Sequence, residues 1–466
     1  MTPLLAAILG YLGLQLAIGV WASRRVHTED DYLVAGRSLG YPLAILSIFA
    51  TWFGAETCIG AAGQIYRDGV SITSAEPFGY GLCLILMGLV FAAPLWRRKL
   101  TTLPDLFRER FSVRVERLAA VILIPTSVLW AAAQVRAFGH VLSSASSLNV
   151  DLAITAAAAF VILYTAVGGL LADAVTDLVQ GILLVAGLLL VGVATVVHLG
   201  GPEGAVAAVA HSGGLRAFSG ASRASLIETI EAWAIPVCGS VVATELVARV
   251  IATRTPQVAS RSSLTAGAIY VTVGLIPVFV GLTGAAIVPE LADAEQLLPA
   301  VAQALLPGVL YALFAGALIS AILSTVDSTL LVASGLLSHN LLVPLLRQPT
   351  ERQRVLIARL GVGMFGILAY ALALRAEGVY ALVEQASAFG SAGALVIVCF
   401  GLFTRVGGAV TAATTLVMGT AIYVFSSVCS MPYPFLTSLA AALATYVGGA
   451  ALELVLQRAG APVARG

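Results

Sequence analysis

Apolar runs long enough to cross a lipid bilayer as helices recur from one end of this chain to the other, and no hydrophilic block between them could form a soluble domain. They fall near residues 3–22, 41–66, 72–95, 116–144, 149–166, 174–198, 227–251, 262–289, 308–341, 355–375, 380–404, 407–427 and 433–456. A membrane helix needs about 20 apolar residues, and without water in the hydrocarbon core only helices or closed barrels satisfy the backbone. Barrel strands would be short and alternating. The chain therefore reads as an all-α integral membrane protein with thirteen transmembrane helices. Composition agrees, because 59% of residues are hydrophobic and 11% charged, against about a quarter charged in a soluble domain. The net charge of +1 gives no footing for nucleic acid. Cys58, Cys83, Cys238, Cys399 and Cys429 stand singly in separate stretches without metal or disulfide spacing, and read as buried packing residues. The first run lacks a basic start and a small-residue cleavage site, so it reads as a retained helix.

The basic residues test the count. If alternate connections, starting with 23–40, are given to one side, that side collects 20 of the 25 Lys and Arg residues, Arg249, Arg254 and Arg261 among them. The other side receives Arg67, Arg216, Arg223 and Arg375, and Arg136 sits inside a span. One missed helix would scramble this alternation. The positive-inside rule then predicts an outside N-terminus and a cytoplasmic C-terminus in the cell membrane.

Four helices carry polar groups at membrane depth. The second contains Thr51-Trp52-Phe53-Gly54-Ala55-Glu56-Thr57, a carboxylate beside a small-residue break. Unwound backbone is tolerated there only where it lines protein or a wet cavity, and its carbonyls can hold a cation. Intramembrane acids are functional by default, although Glu56 could also be bonded to a neighbour across a packing face. The seventh helix repeats the pattern five helices later, with Trp233, Pro236 and Gly239 before Thr244-Glu245. In the ninth, Ala321, Ser324, Thr325 and Ser328 share one face, with Asp327 beside them. Such a face packs helices tightly in lipid or supplies oxygen ligands to a hard cation. The sixth opens through Asp173 and Asp177. Asp173 suits a helix N-terminus, where the dipole favours an acid, and Asp177, one turn deeper, suits an ion ligand or proton carrier.

These residues resemble the sodium:solute symporter family, from Ala35-Gly36-Arg37-Ser38-Leu39-Gly40 through the eleventh helix. The most specific matches are the Gly168-Gly169 to Gln180 run, with Thr176-Asp177, and the Ala321, Ser324, Thr325 face. The resemblance implies a LeuT-type core of two inverted five-helix repeats. Residues 41–198 and 227–404 would form them, flanked by 1–40, an extracellular loop at 199–226, and 405–466. It also implies a first sodium site from backbone oxygens of Ala50 and Phe53 with Ala321, Ser324 and Thr325. A second ion site of some members would map to Asp177, Ser324, Asp327 and Ser328, and an acid at 327 departs from the serine usual in several branches. Within the family the chain is similar to the choline-transporter branch in Ala50-Thr51-Trp52, Gly79-Tyr80-Gly81, Leu129-Trp130-Ala131-Ala132-Ala133 and Asp327-Ser328. Trp52, Tyr80 and Trp130 would form an aromatic cage for a quaternary ammonium, one wall short because the expected seventh-helix aromatic falls near Ala243. The Ala55-Glu56-Thr57 stretch leans toward branches that hydrogen-bond polar solutes.

The expected function is cation-coupled secondary transport of a small organic solute. The solute is a cationic or zwitterionic compound such as choline, betaine or an amino acid, or else a neutral sugar or nucleobase. The family points to sodium, while the residues alone allow sodium or a proton. An intramembrane enzyme is disfavoured. Ser334 and His339 are five residues apart and face different ways on one helix, and the Gly390-Ser391-Ala392-Gly393 stretch lacks nucleophile-elbow context. A signalling receptor would need a soluble output domain, and an acid-lined pair of broken helices suits occlusion rather than an open channel. The lipid bilayer and the solute are the expected partners, with no obligate protein partner. Arg136, Glu245 and Glu384 have no assigned role.

Overall fold

The computed structural model describes residues 3–146, 148–212, 225–291, 293–376 and 378–458. Among the described residues ten helices are long and apolar enough to cross a membrane, and the bent pair Tyr41–Trp52 and Glu56–Asp68, at 51°, makes an eleventh. Val150–His198 runs for 49 residues, about 74 Å at 1.5 Å per residue, more than twice the hydrocarbon thickness. It is two spans meeting at Gly169, whose φ of 70° and ψ of 175° turn the chain. With the 21-residue helix Pro3–Ser23, the thirteen spans expected from the sequence are accounted for. Boundaries differ modestly. The eighth helix starts at Pro256, with Thr255 accepting the Val258 N–H, because a capping threonine and a proline at the first position start a helix wherever they fall. Arg261 therefore lies inside it. Cys58 and Cys83 are buried as expected, but Cys429 is exposed at the end of the twelfth helix, which corrects its reading as a packing residue.

Helix-to-helix contacts follow the polar positions. The ninth helix, Gly308–Gly335, packs along both Val150–His198 and Val113–Ala145, and Tyr41–Trp52 lies against Val150–His198. The second, fourth, sixth and ninth helices thus converge where the sequence puts its buried hydroxyls and acids.

Connections given to the basic side also meet one another. Leu39 pairs with Thr253, and Arg37 donates to the carbonyls of Lys99, Leu100 and Ile251. Glu29 lies 3.2 Å from His339 and 2.9 Å from Arg354, and Asp105 lies 3.3 Å from His339. Burial pushes the Glu29 carboxyl up, but the hydrogen bonds and charges of His339 and Arg354 outweigh it and hold it below the usual carboxylate range. The opposite connections meet separately, Tyr66 at Val288 and Glu295 at Val379. Arg216, Arg223 and Arg465 lie outside the described residues.

Gly169 supplies the first prediction. Its backbone region is essentially glycine-only, and an added Cβ would stand 2.7 Å from the Tyr32 ring. Gly169→Ala should destabilise the protein by about 1–3 kcal/mol, read as a lower melting midpoint of the purified protein in detergent.

Candidate functional site

The second helix breaks because Phe53 leaves helical geometry, at φ −90° and ψ 67°. In an unbroken helix the Ala55 N–H would bond the Thr51 carbonyl. Here it donates instead to Gln134 Oε1 at 3.1 Å, and the Thr51 carbonyl accepts from Thr325 Oγ1 at 3.0 Å. The broken backbone is thus satisfied by side chains of the fourth and ninth helices, as burial requires.

Ala50 and Phe53 frame this break, both fully buried. Ser324, next to Thr325, donates to Asp177 Oδ1, and Ser47 donates to Asp177 Oδ2 at 2.5 Å. Thr325 also bonds the Ala321 carbonyl at 3.2 Å. The Thr51 carbonyl, the hydroxyls of Ser47, Ser324 and Thr325 and the Asp177 carboxylate are thus linked across the second, sixth and ninth helices, oxygen donors of the kind a hard monovalent cation takes.

The residues expected at a second site are divided. Ser328 donates to the Ser324 carbonyl at 2.7 Å and to Asp173 Oδ2 at 3.1 Å. Asp327 sits about 60° round the helix from Ser324, accepts from Thr165 at 2.6 Å, and leaves its second oxygen without a hydrogen-bond partner among the described residues. It lines a small cavity with Tyr164, Thr165 and Asp173.

Arg249 is placed differently from its sequence reading. Counted above with the basic connections, it is fully buried in Thr244–Ile251, and its Nη2 donates to Asp173 and Ser328. The same nitrogen stands 3.7 Å from Asp177. Counting charges near predicted helix ends could not separate a loop cation from one buried in the last turns.

On the other side of the break lie the expected substrate residues. Trp52 and Trp130 meet edge to face with ring centroids 5.3 Å apart, and neither indole N–H has a partner among the described residues. Tyr80 is hydrogen-bonded to Ser387 at 3.0 Å, and its ring neighbour is Tyr270, 6.5 Å away. Glu56 accepts from Gln134 Nε2 at 2.9 Å. Thr57 and Tyr270 both reach Glu76, at 2.5 and 2.6 Å. Glu56 Oε1 and Glu76 Oε2 are buried without hydrogen-bond partners among the described residues.

Gln134, Glu76 and Tyr270 were not anticipated. Gln134 had a legible signal, standing four residues after Trp130 on the same helix face. Glu76 sits in a short polar segment just before Phe78–Leu86 and read as the start of an ordinary span. Of the unassigned residues, Glu245 accepts from Ser127 and Thr244, and Glu384 is exposed. Arg136 donates to the Ala373 carbonyl at 3.2 Å and lines an outer cavity of about 370 Å³ with Arg67, Asp293 and Glu295. Ser334 bonds its own helix while His339 faces Glu29 and Asp105, so the pair considered for catalysis is not joined.

The sodium:solute symporter family model matches residues 32–419. The chain belongs to that family, and with it to the membrane transporters that couple a small solute to sodium. It is 28% identical over 400 residues to the human (Homo sapiens) high affinity choline transporter 1, covering 81% of this chain and 69% of the relative. It is 27% identical over 414 residues to the sodium/proline symporter of Escherichia coli (strain K12), covering 84% and 81%. Its fold matches the substrate-bound, outward-open structure of a Na+-coupled sialic acid symporter with a TM-score of 0.85 at 18% identity, covering 100% of this chain and 99% of that one. Mhp1, a nucleobase-cation-symport-1 family transporter, matches with a TM-score of 0.63 at 17% identity, covering 92% and 95%. The architecture is the LeuT-type fold.

Gly54 stands between residues expected at the ion site and residues expected at the substrate site. A Cβ there would lie 2.5 Å from Glu56, 2.9 Å from Thr325 and 3.1 Å from Gln134. Gly54→Ala should therefore raise the sodium concentration for half-maximal uptake by about tenfold, a displacement worth about 1.4 kcal/mol at the ion residues. Sodium titration of uptake by membrane-inserted protein checks this.

Proposed function

We propose that this chain imports a small organic cation or zwitterion of the choline, betaine or amino-acid type, together with sodium, across the cell membrane by alternating access. The observation that carries the substrate class is the pair of buried carboxylates, Glu56 and Glu76, each with an oxygen left over, on residues that neighbour the break at Trp52 and Phe53 and the Tyr270 ring. A buried anion needs a compensating charge or donor, and a cation against aromatic faces gains further attraction. Of the groups that would read a neutral sugar, Thr57 and Tyr270 are engaged with Glu76, and Gln134 with Ala55 and Glu56, which leaves the Trp52 and Trp130 N–H groups as donors against two carboxylate oxygens. The cationic reading is accordingly favoured over the neutral one.

Sodium enters this reading at the break of the second helix, held by carbonyls of Ala50 and Phe53, with Ala321, Ser324, Thr325 and the Asp177 carboxylate. Asp327 with Ser328 is retained as the region of a second ion. The repeats 41–198 and 227–404 rock against one another, with the N-terminus outside and the arginine-rich face in the cytoplasm. Sodium favours substrate binding through a shared geometry, a coupling of typically about 1–3 kcal/mol that acts in both directions.

Two measurements test this. Purified protein is melted with choline, glycine betaine, proline and glucose, with and without sodium. A ligand of the folded state raises the midpoint by mass action. The expectation is sodium-dependent stabilisation by one of the three charged solutes; stabilisation by glucose alone would refute the substrate class. Thr325→Ala should then weaken the sodium response and Glu76→Gln the solute response, each by about tenfold, as loss of a charge-assisted or hydroxyl contact implies. Unchanged sodium dependence in Thr325→Ala would remove that residue from the site.

A further inference from the structure

Arg249 brings a fixed positive charge into the path proposed for sodium. Its side chain is 0% exposed, yet Nε and Nη1 find no hydrogen-bond partner among the described residues, and Nη2 alone makes its contacts. A guanidinium offers five donors in a rigid fork, so this one is far from satisfied where it stands. Two carboxylates lie within its reach on successive turns of the sixth helix. Asp173 holds it by a direct hydrogen bond, and Asp177 stands 3.7 Å away, occupied by Ser47 and Ser324. Ser328 connects the two, since its hydroxyl meets Arg249 and Asp173 while also bonding the carbonyl of Ser324.

We propose that Asp173 is a latch that holds Arg249 away from Asp177, keeping that carboxylate for sodium, and that transfer of Arg249 onto Asp177 expels sodium toward the arginine-rich face. The guanidinium is a tethered cation competing for the same oxygens. Its unpaired nitrogens give the transferred state hydrogen bonds that the latched state lacks, and Thr244–Ile251 belongs to the second repeat while both aspartates belong to the first. Relative movement of the repeats therefore changes which carboxylate Arg249 meets. Asp327 and Glu245, the other buried acids nearby, are occupied by Thr165 and by Ser127 with Thr244. The inference rests on Asp177 belonging to the sodium path, as proposed above.

The test reads sodium binding directly, by calorimetry and thermal shift on the purified full-length protein, with N-methyl-D-glucamine keeping ionic strength constant. Asp173→Asn should weaken sodium binding by about tenfold, within the range of couplings between linked sites, because the released Arg249 moves to Asp177. The double variant Asp173→Asn/Arg249→Gln should return to within about threefold of the parent, since the competitor is gone. Asp173→Glu, which keeps the charge, should bind sodium as the parent does and provides a folded comparison. A double variant as weak as Asp173→Asn, or an Asp173→Asn that binds like the parent, overturns the latch. Asp177→Asn separates the two readings. If it leaves sodium binding intact, the ion assignment fails; if it abolishes binding while Asp173→Asn has no effect, the latch alone fails.

Discussion

A guanidinium sealed from solvent at membrane depth is the interaction on which the inner half of this molecule depends. Two unit charges about 4 Å apart attract by about 4 kcal/mol at an effective dielectric of about 20, but each must first be stripped of water. Arg249 is tolerable only because Asp173, Asp177 and Ser328 come from two other helices to meet it. Its burial therefore ties the seventh helix to the sixth and ninth, and makes their packing sensitive to charge.

The break in the second helix has the same logic with backbone in place of charge. A carbonyl or N–H released inside a bilayer must find a partner within the protein. Thr325 and Gln134 supply those partners from opposite sides, the first from the ion face of the ninth helix and the second from beside Glu56. A cation that draws Thr325 and the freed carbonyls toward itself acts on the same few atoms that hold Gln134 and Glu56. In the proposed symport, coupling between ion and solute therefore needs no long relay. Gly54 sits among all three side chains, where any larger residue would push the two halves of the site apart.

Most of the architecture was legible because the bilayer enforces a simple code. Long apolar runs gave the spans, alternation of Arg and Lys kept them in register, and the hydroxylic face of the ninth helix is where Ser324 and Thr325 meet the sixth and second helices. Gly168-Gly169 entered the sequence reading only within the run ending at Gln180, and it is the corner itself, with Gly169 at positive φ. Two kinds of information were missing. Charge counting assigns a cation to a loop by its distance from an apolar run, so it misread Arg249, whose aspartate partners lie more than seventy residues away. Residues such as Glu76 and Tyr270 acquire meaning only through each other, since their 194-residue separation leaves no local periodicity to detect. Asp327 shows the converse, because the second-site set came from the family resemblance and carries no geometry, whereas the helical turn sends Asp327 toward Thr165 and Ser324 toward Asp177.

Charge balance joins these observations. Asp173, Asp177, Asp327 and Glu245 are buried near one guanidinium, so with all four ionised the inner site carries three uncompensated negative charges. Glu56 and Glu76 leave the outer site with an excess of two. Buried carboxylates of this kind are sustained by protons, by inorganic cations or by a cationic ligand. Arg249 can neutralise one inner aspartate at a time, whichever it meets, so the deficit can change place without changing size. That property suits alternating access. In the proposed transfer Arg249 replaces the departing cation at Asp177, so that carboxylate is covered in both states, while Asp173 gives up its partner as the cation leaves.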